Sequence, residues 1–137
     1  MTSDSHHGVH IEKIPTRWGD FDQFHHITNS AYIELAQEAR LIYAQREFGK
    51  RGLDIPAAFV RKIEAEYLRP ILSNTKEVTV ETQVIEIGNT SFCTRQVIRD
   101  ADGTVACTID VVQVAVDIVT GSPRQLKDSE VKVLSLA

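Results

Sequence analysis

The sequence is poor in several features that would assign it to a class at once. In 137 residues no apolar run approaches the roughly 18 needed to cross a bilayer. The first ten residues are polar and lack the apolar stretch of a secretory signal, so the expected location is cytoplasmic. Lysine and arginine number 15 against 19 aspartates and glutamates, a net charge of -4 with no basic block. Such a chain lacks the phosphate-neutralising surface that nucleic-acid binding needs. Only two cysteines are present, Cys93 and Cys107, each in a strand-like apolar segment. They read as small buried hydrophobes in a reducing compartment and not as a disulfide framework. Repeats, low-complexity tracts, interdomain linkers and glycine-rich phosphate loops are also missing. No membrane and no nucleic-acid partner is expected.

What is present is ordinary material for one globular domain, 42% hydrophobic and 25% charged. Residues 1–10 are expected to lack fixed structure, leaving a single domain over 11–137. A frayed terminus explains His6, His7 and His10 more simply than a metal site does. A short first strand is expected over Ile11 to Trp18, limited to an edge by Pro15. Between Ser30 and Phe48 there is neither proline nor glycine, which predicts a helix closed by a cap at Gly49. Ala31, Tyr32, Leu35, Ala36, Ala39, Ile42 and Tyr43 fall on one face. Ile33, Leu41, Ala44 and Phe48 lie opposite, so most of the circumference should be covered by a curled sheet.

After Pro56 the pattern reads as strands: Phe59 to Leu68, Glu77 to Ile87, Ser91 to Arg99, and a sixteen-residue run from Thr104 to Val119. Phe59, Ile63, Ala65 and Tyr67 share one face of the first of these, and Val78, Val80, Thr82 and Val84 one face of the second. Asp102-Gly103 marks a hairpin. The order β-loop-α-β-β-β-β implies an α+β fold, a strongly coiled antiparallel sheet around one helix.

The chemically dense stretch is the loop before the helix, Arg17 to Ser30, with Asp20, Asp22, His25, His26 and Asn29. A helix N-terminus presents unpaired backbone N–H groups and partial positive charge, able to stabilise a developing oxyanion in a dry site. Spacing alone fits a plainer reading better: Asp20 and Asp22 shape the turn and Asn29 caps the helix. His25 and His26 are a poor metal pair, because neighbouring side chains splay apart and no third ligand follows.

The string Arg17-Trp18-Gly19-Asp20-x-Asp22-x-x-x-His26-Ile27-x-Asn29-x-x-Tyr32, continued by Glu38-Ala39-Arg40, resembles the signature of the 4-hydroxybenzoyl-CoA thioesterase-like family of hotdog-fold acyl-CoA thioesterases. Glu66 to Pro70, Val78 to Thr82 and Ile87 to Phe92 are similar to that family at matching places, so the likeness runs from about Ile11 to Leu126. It implies hydrolysis of an acyl-CoA to free acid and coenzyme A. The second aspartate of the family's D-x-D, here Asp22, would be the catalytic carboxylate, acting as nucleophile or as general base on water. A backbone N–H at the start of the helix would polarise the thioester carbonyl, and a count of seven from Asp22 leads to Asn29. His26 and Tyr32 would complete the substrate contacts, without metal or cofactor. Two positions depart from the family: His25 stands where glycine is usual and Thr28 where asparagine is usual.

On the residues alone, Tyr32 reads as core, and Glu38 and Arg40 as ion-pair or interface residues. Arg61, Lys62, Arg69, Arg95 and Arg99 are candidates for the phosphates of coenzyme A. The likeness also implies a homodimer or homotetramer, paired through the strand Phe59 to Leu68 with Val60 and Leu68 turned towards the partner. A non-catalytic acyl-CoA-binding domain is the alternative. A dehydratase or hydratase fits the motif poorly.

Overall fold

Thr28, and not Asn29, caps the long helix: its extended backbone (φ -73°, ψ 153°) and side-chain oxygen receive the Ala31 amide. In the computed structural model, which describes residues 8–136, helix α1 runs Asn29–Gly49. The expected cap glycine is still helical. The chain reverses at Gly52, whose φ of +69° suits a residue without Cβ, while the Leu53 amide returns to the Phe48 carbonyl. Gly49 therefore only resembles the stop; the left-handed residue comes three positions later.

The strands are β1 (Val9–Pro15), β2 (Ala58–Tyr67), β3 (Glu77–Ile87), β4 (Ser91–Arg99) and β5 (Val105–Ala115). They form one antiparallel sheet in the order β1-β3-β4-β5-β2. The α+β sheet-and-helix expectation is met. β1 begins at Val9, inside the segment expected to be unstructured; residues 1–7 of that segment lie outside the described residues. His6 and His7 fall there too, whereas His10 sits on β1 with its ring edge-on to Tyr43.

β5 stops at Ala115, four residues before the apolar alternation ends. Asp117 Oδ1 accepts the amides of Val119 and Thr120, and Gly121 (φ +75°) turns the chain. A local side-chain turn thus outcompetes the ladder and leaves Ile118 and Val119 at an exposed tip. The returning chain forms α2 (Asp128–Leu136), which strand-like reading misses. Its start is fixed by Glu130, which accepts the Lys127 amide and two bonds from Arg124 at 2.8 and 2.9 Å. Val133 and Leu134 then join Phe48, Phe92, Ala115 and Leu126 in a second core.

The main core lies between α1 and the concave face of the sheet, where Leu35, Ala36 and Ala39 meet Val78, Val80, Ile98, Ile109 and Val111. Their removal from water is the chief stabilising term. Cys107 is buried there as a free thiol, pushed up to about 11 by desolvation. The sheet does not wrap the helix fully. Glu34, Gln37, Glu38, Leu41 and Gln45 stay exposed, and an open groove separates α1 from β2. A bulge between Val60 and Lys62 sets that boundary, because one extra residue reverses the alternation. Val60, not Phe59, therefore shares a face with Ile63, Ala65 and Tyr67. No helix among the described residues is long and apolar enough to cross a membrane.

Candidate active site

The loop between β1 and α1 is a small hairpin, not a slack connection. A 3-10 turn over Trp18–Asp20 leads to Phe21, which pairs with Ile27, and His26 pairs with Leu72 on the β2–β3 connection. The Ile27 amide donates to Ile71 and the Ser73 amide to the His25 carbonyl, both at 2.9 Å, fastening the hairpin to the body. Asp20 is the anchor. Its carboxylate is buried and accepts the Arg17 amide at 2.7 Å and the Arg17 guanidinium at 2.9 and 3.1 Å. Its carbonyl takes the Thr28 amide at 2.8 Å, so one residue ties the hairpin to the helix cap. Arg17 also reaches Glu34 on α1 at 3.0 Å.

Asp22 stands at the exposed end of this hairpin. Its Oδ1 accepts the amides of Phe24 (2.8 Å) and His26 (3.1 Å); Oδ2 has no partner among the described residues. The bond from the His26 amide, with that from Phe24, holds the carboxyl below the usual carboxylate range. Asp22 is therefore both the turn-former of the plainer reading and a carboxylate with one free, weakly basic oxygen. At the other end of the hairpin the backbone amides of Asn29 and Ser30 make no hydrogen bond among the described residues. These are the orphan donors of the α1 terminus. A cleft of about 620 Å³ beside Asp22 is bounded by Trp18, Phe21, His25, Ser73 and Lys76.

The remaining candidates separate clearly. His26 is exposed, held by backbone pairing, and its ring makes no hydrogen bond among the described residues. Tyr32, implied as a substrate contact, is only 2% exposed, and its hydroxyl donates to the Arg69 carbonyl at 2.9 Å. Burial and that bond give it a positioning part, fixing the end of β2 against the start of α1. Tyr67, which carries no motif signal as a site residue, lies tilted against Tyr32 with ring centroids 5.3 Å apart and donates to the Asn29 carbonyl at 3.3 Å. Arg40 makes no ion pair among the described residues: it is buried and bonds to Gln96. Of the cations suggested for phosphate, Lys62, Arg95 and Arg99 are engaged by Glu64, Asp110 and Glu81. Arg61 and Arg69 have no carboxylate partner among the described residues. No group of histidine, cysteine or acidic side chains among those residues could hold a metal.

His25 explains its own departure from the family pattern. Its φ of +64° lies in the left-handed region where glycine costs nothing. His25→Gly is expected to raise stability by up to about 1 kcal/mol, relief of the backbone exceeding the entropy glycine adds to the unfolded chain. An unchanged or lower urea midpoint would show instead that the imidazole stabilises the hairpin.

The family model described as the thioesterase-like superfamily matches residues 16–133. No curated protein matches the chain. Among solved structures, a thioesterase from Thermus thermophilus complexed with coenzyme A and Zn superposes with a TM-score of 0.79 at 24% identity, over 93% of this chain and 92% of that one. A DHNA-CoA thioesterase from Staphylococcus aureus gives a TM-score of 0.80 at 19% identity, over 93% and 89%. At these identities the likeness establishes the fold, a hotdog.

Proposed function

Because the chain belongs to the thioesterase-like superfamily, we propose that it hydrolyses an acyl-CoA to the free acid and coenzyme A, with Asp22 as the reacting carboxylate. The observation that carries this reading is that Asp22 Oδ2 and the amides of Asn29 and Ser30 at the start of α1, all without a partner among the described residues, belong to the same hydrogen-bonded hairpin and helix start. The amides of Asn29 and Ser30 would draw charge onto the thioester oxygen as the carbonyl carbon becomes tetrahedral. Asp22 Oδ2 would attack that carbon and expel the coenzyme A thiolate, which takes a proton from solvent. The resulting mixed anhydride is then split by water, restoring the carboxylate. The lowered basicity of Asp22 supports this route over general-base activation of water, for which a raised pKa serves better.

Thiol release from a panel of acyl-CoAs tests the reading and ranks chain length. The pH profile carries the sign. A carboxylate whose pKa is depressed is active when ionised and loses activity only as pH falls through that value. The acid limb is therefore expected below the ordinary aspartate pKa of about 4. A limb near 6 would point to a desolvated general base instead. A second reading, a binding domain without turnover, rests on the turn bonds of Asp22 Oδ1.

The site is proposed to work in a homodimer or a dimer of dimers. Among the described residues β2 pairs with β5 alone, and Phe59, Val60, Ile63 and Tyr67 on it and Leu68 just after it are 38–49% exposed. A ten-residue strand with a free edge, its apolar side chains set among Arg61, Lys62, Glu64 and Glu66, is a template for a second copy, and an isologous antiparallel pair would satisfy it. Sedimentation at micromolar concentration is expected to give at least a dimer; a monomer would contradict the assembly.

A further inference from the structure

The groove between α1 and β2, about 810 Å³, has a charged residue in its inner wall that the reaction above does not use. Arg40 is 8% exposed and its Nη1 donates to Gln96 Oε1 at 2.9 Å. Gln96 is fully buried and held in turn, its Nε2 donating to the Ala36 carbonyl (2.8 Å) and Thr82 Oγ1 (3.0 Å). A guanidinium has five N–H donors, and the other four have no partner among the described residues. No carboxylate lies within ion-pair distance among them. Burial pushes Arg40 down to about 10, which leaves it charged at neutral pH. A buried cation without an anion is costly, and proteins seldom keep one for structure alone.

Two further groups in the wall lack partners. The hydroxyls of Thr94 and Tyr43 are buried, the residues being 1% and 3% exposed, and neither makes a hydrogen bond among the described residues. The rest of the lining is largely apolar, with Leu41, Phe48, Ile55, Val60 and Phe92. Glu34 and Glu38 also border the groove, but on its exposed rim, and Glu34 is paired with Arg17. Arg17 borders both this groove and the cleft of Asp22, so the two spaces adjoin.

We propose that this groove receives an apolar chain ending in a carboxylate, which pairs with Arg40, and that the chain is the distal part of the acyl group. The assignment to an acyl group rests on the thioesterase reading; the carboxylate site itself does not. A planar guanidinium oriented by Gln96 matches a carboxylate in two parallel bonds, while the walls match hydrocarbon. One cation flanked by two rim carboxylates is a poor phosphate site. The enzyme would thus prefer acyl-CoAs carrying an ω-carboxylate over plain fatty acyl-CoAs.

The site is tested first without turnover. Octanoate and its methyl ester are titrated into 15N-labelled protein, wild type and Arg40→Gln. Octanoate is expected to shift the amides of Thr94, Gln96 and Gln113 and to bind wild type at least about tenfold more tightly than the ester does. That preference should vanish in Arg40→Gln. Equal binding of acid and ester would overturn the proposal, and would mean the guanidinium finds its anion elsewhere, as on a second copy. Shifts confined to Arg61 or Arg69 would overturn it as well. Should Arg40→Gln fail to fold, the wild-type pair and its shift map still decide, and Thr94→Val should weaken octanoate severalfold. The second arm compares octanoyl-CoA with its ω-carboxyl counterpart on Asp22→Asn protein. Tighter binding of the ω-carboxyl thioester is expected; no preference would remove the acyl assignment. If neither thioester binds while octanoate still does, the thioesterase reading fails and the carboxylate site stands.

Discussion

Asp22→Asn is expected to lower thiol release by about a hundredfold or more, a barrier increase of roughly 2.7 kcal/mol. The amide keeps the side-chain oxygen that accepts the Phe24 and His26 amides, so the turn survives the change. What is lost is the negative charge and the free Oδ2, which an amide nitrogen replaces. Because the side chain is exposed at the hairpin end, its exchange should leave the urea midpoint almost unmoved. That combination separates chemistry from architecture: kcat falls while stability holds. Mass analysis of a single turnover in 18O water adds a second readout, since hydrolysis of an anhydride at the side-chain carbonyl leaves 18O in Asp22. Equal turnover by wild type and variant would return Asp22 to a turn residue and leave the binding-domain reading.

Asp20→Ala is expected to do the opposite, lowering stability by about 2–3 kcal/mol and activity along with it. The buried carboxylate receives four hydrogen bonds from Arg17, three of them from its charged guanidinium, and its replacement by methyl removes all four. Part of the loss is recovered because the Arg17 side chain is half exposed and can turn to water. The Arg17 amide and the hairpin base are left without their acceptor, so Asp22 and the Asn29 amide lose their fixed relation. Asp20 is accordingly a positioning residue, and its signature is a fall in kcat with little change in KM, partly rescued by Asp20→Asn. The urea midpoint should drop with m unchanged. An unaltered midpoint would mean the hairpin is held by its strand bridges to Leu72 and Ile71 alone.

The two changes act on carboxylates two residues apart, and nothing in the local pattern Asp-x-Asp distinguishes them. Alternation, helix spacing and turn residues in the sequence determine the α+β class, the long helix and the bounds of β3 and β4, because these are set by local period and hairpin chemistry. The family motifs likewise single out Asp22 and the start of α1. Where a local competitor intervened, the pattern misleads: Asp117 turns the chain inside an apolar run, and Thr28 caps in place of Asn29. The bulge at Arg61 is equally invisible, since a residue that fails to pair looks like any other until its partner strand is known.

Only the tertiary structure decided which carboxylate is buried and which has a free oxygen, because burial depends on Arg17 folding back over Asp20 and on the hairpin docking against Ile71 and Ser73. It also decided that Arg40, one member of an ordinary-looking Glu-Ala-Arg, points into a groove with Gln96 as its sole partner among the described residues. Residues that are 56 apart in the chain meet there, and solvation by distant neighbours leaves no mark on local sequence.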